Sequence, residues 1–261
     1  MNINLLGPLS LTTDHVDKPV GSSQVRTVLA LLALGAGRGV STERLIDELW
    51  PEAPVRNARN ALQAALTRLR RVLTVVDASG AVTIRTIPNG YVLDGPPGCV
   101  DAHRFTDLLE RGLTAGSDAP EDALADLQTA LQLWRGPALL DVTGGPQVRA
   151  EQIHLDEKRL EALEALCEVR LQLGESRPVV SELKRLVEIH PERERFSELL
   201  MLALYRGGQQ TEALAVFRRV RARLGGELGL NPGRGLCQLN EAILSQDVAL
   251  DGKGPLVLSR A

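Results

Sequence analysis

Aromatic residues are scarce in this sequence, and their scarcity limits how its core can be built. Phe, Trp and Tyr make up 3 % of the 261 residues, whereas hydrophobic residues as a group make up 44 %. The interior must therefore consist mainly of Leu, Val and Ala, which favours packed helices. Apolar runs of the roughly 18 residues that a membrane-spanning helix needs are missing, and the beginning, MNINLLGPLS, has no basic leader before an apolar stretch. We expect a cytoplasmic protein that does not enter a membrane.

Patterns typical of catalytic and metal sites are also lacking. The cysteines, Cys99, Cys167 and Cys237, are far apart and none belongs to a CxxC pair, so neither a disulfide framework nor a zinc site is indicated. The four histidines form no pair at a spacing of three or four residues, and no GxxxxGK[ST] loop for nucleotide phosphates occurs. We expect no metal, no cofactor and no enzymatic activity, and cysteines that are small buried hydrophobic residues.

Acidic residues are absent from one stretch where arginine is abundant. Residues 56–73 contain five arginines and no Asp or Glu, although the whole chain has a formal net charge of −3. On a helical wheel, most polar residues of this stretch share one face, the apolar residues take the opposite face, and Asn57 and Arg68 lie on the flank. A solvated surface helix usually mixes Glu with Lys or Arg, because opposite charges one turn apart stabilise it. Arginine fits guanine and phosphate, and Asn or Gln fits adenine, so the pattern favours DNA binding.

The order of elements around this arginine-rich helix is that of a winged helix-turn-helix. Residues 22–37 and 41–51 are predicted as helices that begin at serine and end at glycine or proline. Residues 82–94 hold two β-branched runs separated by Pro-Asn-Gly, which predicts a hairpin. The arginine-rich helix would then enter the major groove and the hairpin would be the wing.

In a winged helix-turn-helix, the polar side chains of the cationic face and of the hairpin would have different contacts with DNA. On the recognition helix, we expect bases to be contacted by Arg56, Arg59, Asn60 and Gln63, and phosphates by Thr67, Arg70 and Arg71. On the wing, we expect contacts with the DNA backbone or minor groove from Arg85, Thr86 and Asn89. Tyr91 has two alternatives, a hydrogen bond to phosphate or packing of the hairpin onto the helix. Both tryptophans, Trp50 and Trp134, are expected in the core.

A boundary is predicted at residues 93–101, LDGPPGCVD, where prolines and glycines end any regular element. Residues 1–96 would form the DNA-binding domain, 97–251 a helical domain and 252–261 a tail. The predicted helices are 102–114, 119–135, 148–174, 177–189, 192–207, 211–228 and 233–247. Gly174 and Gly208 each close a helix and are 34 residues apart, the tetratricopeptide period, which indicates stacked helix pairs.

Several long segments resemble one known family. RGVSTERLIDELWPEAPVRNARNALQAALTRLRRVL and IPNGYVLD resemble the OmpR-type winged helix of the Streptomyces antibiotic regulatory protein family. DAHRF, ALQLWRGPAL and LVEIHPERERFSELLMLALYRGGQQTEALAVFRRVRARLGGELGLNPG are similar to the bacterial transcriptional activator domain that follows it. The resemblance covers about residues 2–251 and implies an α+β winged helix-turn-helix followed by an all-α tetratricopeptide-like domain.

The resemblance also implies function and partners. Small members of this family activate antibiotic gene clusters by binding direct repeats of double-stranded DNA near the −35 region. They recruit RNA polymerase holoenzyme and contact its sigma factor. Residues 50–55 would then face the polymerase, with Trp50, Glu52 and Val55 as the contact residues, and the helical domain would serve packing and self-association, at least on DNA.

Other functions remain as alternatives. A repressor would use the same DNA-binding head, and the helical half alone would suit an interaction scaffold, although a scaffold gives no reason for the acid-free arginine face. For an enzyme, the glycines of LDVTGGPQ at 140–147 are a weak phosphate-loop signal, because no lysine follows them. The acids and arginines of PERERF at 191–196 indicate a structural salt-bridge network instead of a catalytic pair.

Overall fold

The structure, a computed structural model, describes residues 1–13, 16–52, 56–77, 79–116 and 118–252. The chain forms two compact units. The first comprises Met1–Leu109 with Thr129–Leu160, and the second comprises Glu110–Gln128 with Glu161–Ala261. Each predicted helix and the predicted hairpin have a counterpart in these units. In the part of the chain that the structure describes, no helix combines the length and apolarity needed to cross a membrane.

The first unit begins with a small antiparallel sheet of three strands in sequential order. Its strands are β1 (Asn2–Asn4), β2 (Ser10–Thr13) and β3 (Val16–Pro19). The Gly-Pro turn expected between the first two is present, but β3 was not predicted. Its sequence, VDKP, is fully exposed, so it lacks the alternation of apolar and polar residues by which a half-buried strand is recognised.

Three helices follow, and α1 and α2 begin and end close to the residues that the sequence indicates. They are α1 (Ser23–Leu34), α2 (Thr42–Leu49) and α3 (Ala58–Val76). Ser41 caps α2, because its side chain accepts a hydrogen bond from the Arg44 backbone N–H at 3.2 Å. The arginine-rich helix is displaced relative to the prediction, since it starts two residues later than 56 and runs three residues beyond 73.

The wing is the hairpin formed by β5 (Thr83–Ile87) and β6 (Gly90–Asp94). A short strand, β4 (Val40–Ser41), pairs with the other side of β6, so that β6 is the central strand. Asn89 occupies the left-handed region of the turn, with φ of 60°. A Cβ atom on Gly90 would lie 2.5 Å from the Val40 carbonyl oxygen. The glycine of Pro-Asn-Gly is therefore required by the close approach of β4.

The next three helices in the chain are α4 (Asp101–Ala115), α5 (Pro120–Gln132) and α6 (Pro146–Gln172). Residues 133–145 link α5 to α6 and, together with the first turn of α6, form a strap against the N-terminal elements of the first unit. The backbone N–H groups of Arg135 and Leu139 donate to the carbonyls of Leu6 and Leu5, both at 2.8 Å. The Asp141 side chain accepts the Leu9 N–H at 2.7 Å. The strap thus satisfies backbone groups in the loop between β1 and β2.

The far end of the strap is fixed to α2 through a buried carboxylate. Glu48 is 5 % exposed and accepts the backbone N–H groups of Gln147 and Val148 at 2.9 and 3.1 Å. These N–H groups belong to the first turn of α6 and have no partner within that helix. The Glu48 carbonyl accepts the Gly145 N–H at 3.0 Å. The glycines of LDVTGGPQ therefore serve this close packing, because a Cβ on Gly145 would lie 2.9 Å from the Glu48 carboxylate.

The second unit consists mainly of α7 (Ser176–Ile189), α8 (Glu194–Arg206), α9 (Gln210–Arg223) and α10 (Arg234–Ser245). A π-helical turn, Leu224–Leu228, replaces the predicted last turn of α9. Gly174 and Gly208 both have positive φ and close their helices with the same pair of backbone hydrogen bonds. Gln246 closes α10 in this way as well. The predicted repeat therefore corresponds to a recurring helix termination.

The arginines of PERERF stabilise the second unit, as expected. Arg193 binds Glu164 at 2.6 Å, and Arg195 binds both Glu168 and Glu198 at 2.9 Å. Their partners lie on α6 and α8, whereas the sequence had suggested the neighbouring acids of the same segment. Glu194 instead accepts the backbone N–H of Gly233 at 2.7 Å, just before α10.

Candidate nucleic-acid interface

Helix α3 separates an apolar buried face from a polar exposed one, as its sequence predicts. The buried face packs on α1 and α2 and consists of Leu62, Ala65, Leu66, Leu69, Leu73 and Val76. Exposed on the helix are Arg59, Asn60, Gln63, Thr67, Arg68 and Arg71. Arg56 is exposed too, but it precedes the helix and its N-cap residue Asn57. The outward face of α3 therefore carries cations and amides, and the helix itself contributes no acidic residue to it.

Arg70 differs from its exposed neighbours because its guanidinium is bound to the wing. Its Nε and Nη2 atoms donate to the Ile84 carbonyl at 3.3 and 3.2 Å, and Nη2 also donates to the Thr86 hydroxyl at 3.0 Å. The guanidinium carbon lies 6.0 Å from the centre of the Tyr91 ring. Arg70 was expected at a DNA phosphate. In this structure it joins α3 to β5, and its side chain is partly buried.

Tyr91 packs the wing onto α3, which is one of the two alternatives left open by the sequence. The residue is 4 % exposed. Its hydroxyl accepts a hydrogen bond from Gln63 Nε2 at 2.6 Å. A direct bond from Tyr91 to phosphate would have to replace this interaction, so the structure favours the packing role.

The exposed wing residues differ in how firmly they are held. Arg85 donates two hydrogen bonds to the Asp94 carboxylate, at 2.7 and 3.2 Å, across the hairpin. The hydrogen bond from Arg85 lowers the pKa of Asp94, and the same pair raises the pKa of Arg85. Asn89 is exposed at the tip. The wing thus presents a paired cation on its strand and a polar amide at its turn.

A cleft of about 370 Å³ lies where the first turn of α2, the face of α3 and the wing meet. Its lining residues are Ser41, Thr42, Glu43, Arg59, Gln63, Asn89 and Tyr91. Several of the predicted base-contacting and wing residues are therefore brought to one place. Glu43, in the first turn of α2, is not among the residues that the sequence predicts at the DNA interface.

The C-terminal end of α3 adds residues that the sequence reasoning did not include. Thr74 and Val75 line a shallow depression with Thr67, Arg70 and Arg71. Val75 is 80 % exposed, although its side chain is apolar. The sequence predicts a helix that stops at residue 73, although Val76, three residues after Leu73, continues the apolar spacing of the buried face.

The segment expected to face polymerase is only partly described. Trp50 directly follows the last residue of α2 and is half-buried, so its predicted place in the core is only partly realised. Glu52 is exposed. Val55 lies outside the described residues.

The sequence matches two family models, in the order of the elements above. The model described as "Transcriptional regulatory protein, C terminal" matches residues 20–93, and the "Bacterial transcriptional activator domain" matches residues 100–244. The transcriptional regulator RedD of Streptomyces coelicolor is 42 % identical over 253 residues, which cover 96 % of this chain and 72 % of RedD. The regulatory protein DnrI of Streptomyces peucetius is 37 % identical over 267 residues, which cover 100 % of this chain and 98 % of DnrI.

The chain belongs to the Streptomyces antibiotic regulatory protein family of transcriptional regulators. A solved structure of Mycobacterium tuberculosis EmbR in complex with a low affinity phosphopeptide is similar to it, with a TM-score of 0.87 and 34 % identity. That likeness covers 94 % of this chain and 65 % of the EmbR chain. Membership confirms the predicted fold class, a winged helix followed by a helical activator domain. It also confirms the non-enzymatic role and the role in DNA-dependent regulation of transcription.

Proposed function

We propose that this protein is a pathway-specific activator of a secondary-metabolite gene cluster, of the kind that makes antibiotics. It binds direct repeats near the −35 region of the cluster's promoters and recruits RNA polymerase holoenzyme. The observation that carries the proposal is the exposed, acid-free face of α3 beside the wing. Because DNA and polymerase are its partners, we place its action in the cytoplasm.

The length of α3 implies that its two ends contact different parts of the DNA. At 1.5 Å per residue, its 19 residues extend about 28 Å, more than twice the roughly 12 Å width of the major groove. We infer that Arg59, Asn60 and Gln63, with Arg56 ahead of the helix, face the base edges. Thr67 and Arg71 then lie toward the phosphates, and Arg70 joins them only indirectly by holding the wing.

The wing contributes contacts with the DNA backbone or minor groove in this proposal. Asn89 at the tip is the residue best placed for it, because it is exposed and lies beside Arg59 and Gln63 in the same cleft. Arg85 and Thr86 are exposed on β5. Their hydrogen bonds to Asp94 and from Arg70 orient them within the hairpin.

Polymerase recruitment is assigned to residues 50–55, with Trp50, Glu52 and Val55 toward the sigma factor. The partial exposure of Trp50 and the exposure of Glu52 support this assignment. Direct repeats one helical turn apart, about 10–10.5 bp, would place two protomers on the same DNA face. Two protomers placed in this way could associate on DNA, and we assign that association to residues 97–251. Residues 1–96 are then the DNA-binding part, and residues 252–261 are a tail.

The first experiment is a titration of the full-length protein with duplex fragments from upstream of its neighbouring genes, at several salt concentrations. Binding to phosphates predicts a log–log salt slope near −0.9 for each neutralised phosphate. Arg71→Ala should make the slope shallower by about one phosphate. Asn60→Ala should instead weaken sequence preference and leave the slope unchanged. Arg221→Ala, at an exposed arginine of α9, is the matched control and should change neither quantity.

If the affinity for duplex fragments does not change with salt concentration and does not differ among the fragments, the DNA-binding proposal is overturned. The protein would then be better explained as a protein-interaction scaffold. Activation is tested separately by transcription in vitro with purified holoenzyme. Transcripts from the bound promoter should increase when the protein is added. A decrease would identify a repressor with the same DNA-binding head.

A further inference from the structure

The hydrogen bond between Gln63 and Tyr91 connects an exposed side chain to a buried one. Gln63 is exposed on the polar face of α3, whereas Tyr91 is 4 % exposed. The bond from Gln63 Nε2 to the Tyr91 hydroxyl measures 2.6 Å. A glutamine side chain on a helix surface otherwise has considerable rotamer freedom, which it must lose when it binds a ligand. This bond removes much of that freedom before any ligand is present.

Tyr91 is a rigid anchor for such a bond. It lies on β6, the central strand, where its backbone is paired with Thr86 of β5 on one side and Val40 of β4 on the other. The guanidinium of Arg70 lies 6.0 Å from the centre of its ring. Because Arg70 itself donates to the Ile84 carbonyl of β5, the ring, the wing and α3 are joined in one set of contacts.

The remaining hydrogen-bonding groups of Gln63 match one base. A carboxamide has two N–H donors and one carbonyl acceptor. Tyr91 uses one donor, so one N–H and the Oε1 atom remain free of this bond. An N–H beside a carbonyl is the combination that pairs with N7 and N6 of adenine in the major groove. Arg59 lines the same cleft one helical turn earlier, and it can approach phosphate or a neighbouring guanine.

We propose that Tyr91 is a positioning residue, which orients the Gln63 carboxamide to read one adenine in the major groove. The proposal rests on the DNA-binding function proposed above and adds a mechanism of sequence selection to it. Ordering the amide in advance lowers the entropic cost of recognition and holds the amide in one orientation. Tyr91 contributes through Gln63 and does not touch the DNA.

A double-mutant cycle tests this inference in the full-length protein. Affinities of wild type, Gln63→Ala, Tyr91→Phe and the double variant are measured for the preferred duplex and for duplexes with each base pair replaced in turn. Gln63→Ala should remove the preference for adenine at one position, on the order of tenfold. Tyr91→Phe keeps the ring and should weaken discrimination at that same position by about three- to tenfold, the worth of one hydrogen bond.

The decisive result is the absence of a further effect of Tyr91→Phe when Gln63 is already alanine. Tyr205→Phe, which removes the hydroxyl of the other tyrosine, in α8, is the matched control and should not alter base preference. If Tyr91→Phe weakens binding to every sequence equally, or adds fully to Gln63→Ala, its hydroxyl is only structural and the inference is wrong. Unchanged discrimination in Tyr91→Phe would overturn it as well. A wild-type protein without any sequence preference would instead overturn the proposed function, and this inference with it.

Discussion

The two tryptophans look alike in the sequence and differ in the fold. Trp134 is 9 % exposed, and its ring meets Phe105 edge to face with 5.2 Å between ring centres. The guanidinium of Arg159 lies 4.9 Å from the Trp134 ring centre. Trp50, at the C-terminal end of α2, is only half-buried. Burial of a residue at a helix end depends on what folds over it, and local sequence does not contain that information.

Replacement of each tryptophan by alanine should show this difference. Trp134→Ala removes a packed aromatic side chain and should lower the free energy of unfolding by about 3–5 kcal/mol. Trp50→Ala should cost clearly less, because part of its indole is already hydrated. Urea unfolding followed by circular dichroism gives both values. Equal losses would mean that Trp50 is as well packed as Trp134.

Cys167 should be the least reactive thiol of the protein. Burial raises its pKa to about 12, and the nearby carboxylate of Glu182 acts in the same direction. The thiolate is the reactive form, so a thiol that stays protonated from pH 7 to 9 reacts slowly. Iodoacetamide labelling of the native protein, read by mass spectrometry, should modify the partly exposed Cys237 first. Labelling of Cys167 at the same rate as Cys237 would contradict the burial seen here.

At the scale of elements, the contact between α3 and the wing gives two adjacent arginines different roles. Arg70 is bound to Ile84 and Thr86, whereas Arg71 is exposed. Arg70→Ala should loosen the hairpin and weaken DNA binding, with a salt slope close to that of wild type. It should also speed amide hydrogen exchange in β5. A slope that decreases as much as in Arg71→Ala would show that Arg70 neutralises a phosphate itself.

Periodicity explains why the helices and the cationic face were predictable. Apolar residues at helical spacing define the buried side of α3. Serine precedes both α1 and α2, glycine follows the end of α1, and proline lies just beyond the end of α2. The short strands β3 and β4 carry no such signal, since β4 has two residues and is defined by its pairing with β6. The role of Arg70 could not be predicted from the sequence either. Its partners, Ile84 and Thr86, lie on β5, more than ten residues away in the chain, and nothing in the order Arg70-Arg71 distinguishes the two side chains.

For the whole first unit, the strap is the feature that sequence composition did not indicate. The proline- and glycine-rich segment 93–101 suggests that the DNA-binding part is complete before it. The compact unit nevertheless includes residues 129–160. Hydrogen bonds from the strap reach the loop after β1 and the end of α2. These are contacts between residues that lie far apart in the chain, which local patterns cannot report.

The Glu48 carboxylate should raise the free energy of unfolding, because it accepts two backbone hydrogen bonds. Glu48→Ala leaves the N–H groups of Gln147 and Val148 without their acceptor and should cost about 1–3 kcal/mol. Asp47→Ala, at an exposed acid of the same helix, is the control for a lost charge and should change stability little. Thermal unfolding of both variants measures the difference. Similar melting temperatures for the two would mean that the carboxylate cap is unimportant.

The strap also sets an order of events during synthesis. The head that holds α3 and the wing cannot complete its contacts until residues 133–148 have left the ribosome. At roughly 5–20 residues per second, translation of residues 97–148 takes about 3–10 s. During that interval the backbone groups of Leu5 and Leu6, and the carboxylate of Glu48, lack the partners seen in the finished fold. A nascent chain of this protein is therefore expected to reach full DNA-binding competence only after part of its activator region has been made.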